Sequence, residues 1–141
     1  MVDLNYYDTL IAVADDCPVD HAVVPTERGG KPSVAVLQYR MLSGRPHVVT
    51  QEDVLFETWV ARQQSVVEPS DRSRLRQEFF AKPQACLRSS PLPKRYGWGF
   101  LFDGQGRVAL LVMESAEYQD LVAATGGRPK VLKALRSTRS R

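Results

Sequence analysis

A chain of 141 residues, 43% apolar and 25% charged, has the size and balance of one folded domain, which excludes a disordered or fibrous chain and a two-domain one. The net charge of +3 is unevenly placed: from Arg128 onward there are six cations and no acid, so the chain ahead of that point is net acidic. No run nears the roughly 18 apolar residues of a spanning helix, and Met1–Asp8 carries two acids with no basic region before an apolar stretch, so no membrane association and no secretory signal are expected and the expected location is the cytoplasm.

In chain order, Thr9–Ala14 is a short β-rich run ended by Asp15-Asp16-Cys17-Pro18, and it predicts a buried strand. Residues 19–31, with Pro25 and Gly29-Gly30, read as a surface loop. Ser33–Leu42 suits a helix, begun near Pro32 and closed by Gly44, or equally a strand through Val34 and Val36. Thr50 is a helix cap followed by acids at the positive end of the helix dipole. That helix is predicted to reach about Gln64, with Leu55, Phe56, Trp59, Val60 and Gln63 inward and Glu52, Asp53, Glu57 and Arg62 largely outside.

A third helix is predicted from a Ser70 cap, with Leu75, Phe79 and Phe80 inward, Arg72, Arg74 and Arg76 outward, and Pro83 as its stop. Tyr96–Phe102 alternates, with Tyr96, Trp98, Phe100 and Phe102 on one face. Asp103–Gly106 is turn chemistry, and Val108–Met113 is apolar throughout, so 96–113 predicts an antiparallel hairpin whose second strand is buried on both faces. Ser115 should cap a short helix holding Tyr118, Leu121 and Val122, closed by Gly126-Gly127. Val131–Leu135 fits a last strand or a helical turn. The fold class expected is therefore α+β: a small antiparallel sheet covered by two or three helices, in one domain over 1–127 with a basic segment, 128–141, partly ordered or disordered.

Chemistry concentrates in 82–98. Between Glu78 and Asp103 there is no carboxylate, yet Lys82, Arg88, Lys94 and Arg95 stand among Cys86, Ser89, Ser90, Tyr96 and Trp98. Guanidinium forks, hydroxyls and loop N–H groups grip phosphates and carboxylates, and a ring stacks on a flat group beside them. Arg88, Ser90, Lys94, Arg95, Tyr96 and Trp98 are the candidate ligand-binding set, for an anionic small molecule or an acidic partner group. The alternative is that Arg88 and Arg95 pair with Asp15, Asp16 or Glu114 while the aromatics pack in the core.

Cys86 is the candidate catalytic residue of a second reading, a thiol-dependent enzyme. Nearby cations favour a thiolate, and in an extended segment Cys86 and Arg88 would point the same way. Neither His21 nor His47 is tied to it by a motif, and an inert buried thiol is the plainer reading. Cys17 and Cys86 are expected to be free thiols. Scattered single His and Cys residues predict no metal site, no cofactor is implied, and nucleotide-loop and nucleophile-elbow motifs are absent. The basic tail allows a third reading, salt-sensitive contact with nucleic acid. Homodimerisation through a sheet edge or helix face is open on this sequence.

Thr50-Gln51-Glu52-Asp53-Val54-Leu55-Phe56, Phe79-Phe80-Ala81-Lys82, Cys86-Leu87-Arg88, Ser90-Pro91-Leu92 and Lys94-Arg95-Tyr96-Gly97-Trp98-Gly99 carry a resemblance. Together with Tyr6-Tyr7, Asp16-Cys17-Pro18, Gln38-Tyr39 and Glu114-Ser115, they make the chain similar, over nearly its whole length, to a family of small uncharacterised bacterial single-domain proteins, a domain of unknown function. It departs from that pattern at Pro83 and Ala85 and in having no histidine near Phe100 or Leu101. The resemblance implies one domain and supplies no substrate, cofactor or catalytic residue.

Overall fold

A computed structural model describes residues 3–124 and 127–138. Four strands, β1 (Thr9–Ala12), β2 (Trp98–Phe102), β3 (Val108–Val112) and β4 (Lys130–Lys133), form one sheet in the order β3-β2-β1-β4. The β1–β2 and β2–β3 pairs are antiparallel, and β4 joins β1 in parallel. The class is α+β, with a small, mixed, mostly antiparallel sheet. Every residue of β1 is buried, as expected for a strand with neighbours on both edges and layers on both faces.

The helices are α1 (Val34–Leu42), α2 (Gln51–Ala61), α3 (Arg72–Phe80), α4 (Pro91–Arg95) and α5 (Ala116–Ala123). One face of the sheet, through Ile11, Phe100, Phe102 and Val108, packs with Ala35 and Leu42 of α1, Val54 of α2 and Leu92 of α4. The other face, through Leu10 and Ala12, meets Tyr118 of α5, whose hydroxyl accepts from Val13 N–H at 2.8 Å. None of the helices among the described residues is long and apolar enough to cross a membrane.

The ambiguity over 33–42 resolves to a helix because Ser33 supplies the cap, accepting from Val36 N–H. Thr50 forms a capping box: its hydroxyl accepts from Asp53 N–H at 3.3 Å and its own N–H donates to the Asp53 carboxylate at 3.0 Å. Several expectations need correction. The third helix has no Ser70 cap, since a single 3-10 turn at Pro69–Asp71 leads into it. Arg72 and Arg76 do not point outward. They pair with Glu57 and Asp53 of α2 and lie over the Phe56 and Phe80 rings, so α3 is held to α2 by ion pairs and aromatic contacts.

On α2 itself the fully buried residues are Gln51, Val54, Phe56 and Thr58, whereas Leu55 and Trp59 are half-buried. β3 is an edge strand, buried at Val108 and Ala109 and half-buried beyond. Tyr96 is not in the hairpin. Residues 91–95 form α4, which ends at Tyr96, and Gly97 at φ +77° turns the chain into β2. At the end of α5, Gly126 lies outside the described residues.

Candidate functional site

After Phe80 the chain crosses the open end of α2 and returns as a 3-10 turn, Leu87–Ser89, and α4. Local composition dictates this path. Pro83 forbids continuation of α3, whereas Pro91 and Pro93 stand in the first turn of α4, where backbone N–H groups have no partner inside the helix. Buried glutamines fasten the crossing. Gln51, 1% exposed, accepts from Leu87 N–H at 2.8 Å through Oε1 and donates through Nε2 to the Leu4 carbonyl. Gln38 of α1 accepts from the Ser90 hydroxyl at 2.6 Å.

A cavity of about 480 Å³ remains between α1, α2, the end of α3 and this crossing segment. Its apolar walls are Leu55, Trp59 and Phe79, its polar floor is Gln38, Thr58 and Ser90, and Cys86 and the exposed Arg62 also line it. The half-exposure of the apolar Leu55 and Trp59 is the cost of leaving this space open. A second cavity, of about 350 Å³, is bounded by Ser33 and Ala35 on one side and by Lys94, Arg95 and Tyr96 on the other. The two adjoin, since Val34, Ser89 and Pro91 line both.

Of the residues singled out by sequence, Ser90, Lys94, Arg95 and Tyr96 gather on these cavities. Arg88 and Trp98 do not join them. The Leu87–Ser89 turn replaces an extended segment, and the Arg88 Nε donates to the Lys133 carbonyl at 2.8 Å. Trp98 packs on Tyr39 with ring centres 5.3 Å apart and donates its indole N–H to the Val23 carbonyl at 2.8 Å. The pairing considered for the arginines is not made. Asp15 holds Lys133 at 2.5 Å and Arg136 at 3.4 Å, Asp16 accepts from Ser137 and Thr138, and Glu114 accepts from Ala22 N–H. Among the described residues, neither Lys94 nor Arg95 has a carboxylate oxygen within 4.0 Å.

Cys86 and Cys17 are free thiols. The histidines are engaged away from Cys86, His21 with Asp20 and His47 with the Arg107 carbonyl and Asp103. The group that does meet Cys86 is Tyr6. Burial, then the neighbouring Cys86 thiol, pushes its hydroxyl up to about 12. Because the unfolded phenol titrates near 10, the folded state retains the proton longer, and the stability it contributes is present below pH ~10 and lost as pH rises toward ~12. Base-induced unfolding, followed by circular dichroism alongside tyrosinate absorbance, should therefore steepen across that window and flatten in Tyr6→Phe. An unchanged profile in the variant would remove Tyr6 as its source.

The residues of this candidate site that sequence reasoning did not single out are Gln38, Thr58 and Trp59, which line the cavity, and Gln51, which fastens Leu87. Only Trp59 carried a signal, an aromatic one shared with any core helix. Set against known proteins, residues 1–140 match the model of a family of unknown function, DUF6157; no curated protein and no solved structure matches.

Proposed function

We propose that this chain, which belongs to the DUF6157 family of unknown function, is a binding module for a small organic anion, with the ligand's flat apolar body against Trp59 and Phe79 and its anionic group at Lys94 and Arg95. The observation that carries the reading is the junction of the two cavities across Ser89 and Pro91. An apolar cleft with a few placed polar groups is the usual form of a small-molecule site, and here it adjoins a cavity lined by two cations that no carboxylate among the described residues pairs with. The plainer account is that Lys94 and Arg95, in the last turn of α4, only complement its carbonyl end. That account predicts a loss of a few tenths of a kcal/mol for Arg95→Ala and no ligand.

A thermal-shift series on wild type and Arg95→Ala, with anilinonaphthalene sulfonate, phenyl phosphate, phenylpropionate and their uncharged amides or alcohols, separates the two. A ligand at about 100 times its dissociation constant adds about 2.7 kcal/mol, a shift of several degrees for a domain of this size. The reading expects such a shift for anions with an apolar body and its loss in a still-folded Arg95→Ala. No shift with any of them would overturn it. Cys86 lines the same cavity, so its alkylation by iodoacetamide should slow when a bound anion covers it; the thiol-dependent reading has this placement in its favour but no base beside the sulfur among the described residues. The nucleic-acid reading has less, because Lys133 and Arg136 are engaged by Asp15.

A further inference from the structure

We infer that Gln38 is a specificity-determining residue of this cavity and that the ligand's buried part presents to it a hydrogen-bond acceptor of the carbonyl type. The inference rests on the reading just given and deepens it. It follows from counting protons on the floor. Thr58 has one hydroxyl proton, and it goes to the Val54 carbonyl at 2.6 Å. Its contact with Gln38 at 3.4 Å must then run from the Gln38 amide to the Thr58 oxygen, which places Nε2 at Thr58 and Oε1 at Ser90.

Ser90 is satisfied in this orientation. Its oxygen accepts from Leu92 N–H at 3.2 Å as the cap of α4, and its single proton goes to Gln38 Oε1 at 2.6 Å. The orientation of the amide is thereby set at its Thr58 end, and the Ser90 hydroxyl, donor or acceptor as needed, fits it. Every proton of the Ser90–Gln38–Thr58 chain is spent but one, the second N–H of Gln38, which has no acceptor among the described residues.

Gln38 is 3% exposed and lines the cavity. A buried N–H without a partner favours any occupant that supplies one and disfavours an occupant that presents only C–H. With apolar walls on one side and cations across Ser89 on the other, the occupant so described is an anion whose apolar body carries an inward ketone, ester or amide oxygen.

The test uses β-benzoylpropionate and γ-phenylbutyrate, which share a carbon skeleton and a carboxylate and differ in one ketone oxygen, titrated calorimetrically into wild type and Gln38→Met. The ketone should bind wild type about tenfold more tightly, the worth of one neutral hydrogen bond, and the two should become equal in Gln38→Met. In wild type the Gln38 side-chain amide proton resonances should move with the ketone and not with the phenylbutyrate, a readout that stands if the variant fails to fold. Equal affinities for wild type with those resonances unmoved would overturn the role of Gln38 and leave the anion site standing. No binding of either compound would overturn both.

Discussion

Gly97→Ala is expected to lower the free energy of unfolding by about 4 kcal/mol, the sum of a left-handed backbone penalty and an overpacking one. Gly97 stands at φ +77°, and a Cβ there would lie 2.7 Å from the His21 carbonyl oxygen and 2.9 Å from the Met113 sulfur. The methionine can swing aside. The His21 carbonyl cannot, because its segment is held on three counts: Val23 N–H donates to the Tyr96 carbonyl at 2.8 Å, the Trp98 indole donates to Val23, and Ala22 N–H donates to Glu114. Gly44, at φ +72° with nothing within 4 Å of its Cβ position, is the control, and Gly44→Ala should cost only the backbone part, about 1 kcal/mol. Urea unfolding of both variants measures the difference. Equal losses would mean that the 21–23 segment yields and that Gly97 is needed for its dihedral angle alone.

Gln51→Leu should cost about 3 kcal/mol, although it replaces one side chain of the α2 start by another of similar volume. Leu87 N–H and the Leu4 carbonyl would each lose a buried partner, and leucine offers nothing in return. An exposed glutamine just past the opposite end of α2, Gln63, donates through its side chain to the Trp59 carbonyl, so Gln63→Leu should stay within about 0.5 kcal/mol. Urea unfolding gives the energies, and amide exchange at Leu87 gives the location, since that proton should exchange faster in Gln51→Leu than the loss of global stability alone requires. A loss below about 1 kcal/mol with Leu87 still protected would show that another acceptor replaces the glutamine. The same variant should weaken anion binding, because Leu87 begins the turn that carries Ser89 and Ser90 into the cavities.

The hairpin and the α2 cap could be read from sequence because their determinants are local. Asp103 accepts from Gln105 and Arg107 within its own turn, and Thr50 and Asp53 answer each other three residues apart. The site could be read only in part. Lys94 and Arg95 announced themselves by the absence of acids around them, but α4 was hidden because Pro91 and Pro93 look like breakers unless their place in a first turn is known. Without that helix, Tyr96 reads as part of the strand that begins two residues later. The buried roles of Gln38 and Gln51 are hidden for a different reason. Their partners lie 20 to 52 residues away, and a pattern of apolar and polar residues records a glutamine as surface whether or not distant groups satisfy it. Arg88 was misassigned likewise: nothing near it in sequence indicates a carbonyl on β4.

The parallel seat of β4 beside β1 has a consequence for synthesis. When β1 and the hairpin have left the ribosome, β1 can pair along one edge only, and its other edge exposes unpaired backbone until Lys133 follows. A nascent chain halted near residue 127 would thus hold its most buried strand as a naked sheet edge, the kind of surface on which newly made chains stick to one another. The basic segment closes that edge, and two of its cations, Lys133 and Arg136, settle on Asp15, 118 residues upstream of Lys133. Completion of the sheet therefore waits until β4 has emerged, and chaperone demand should be greatest just before it.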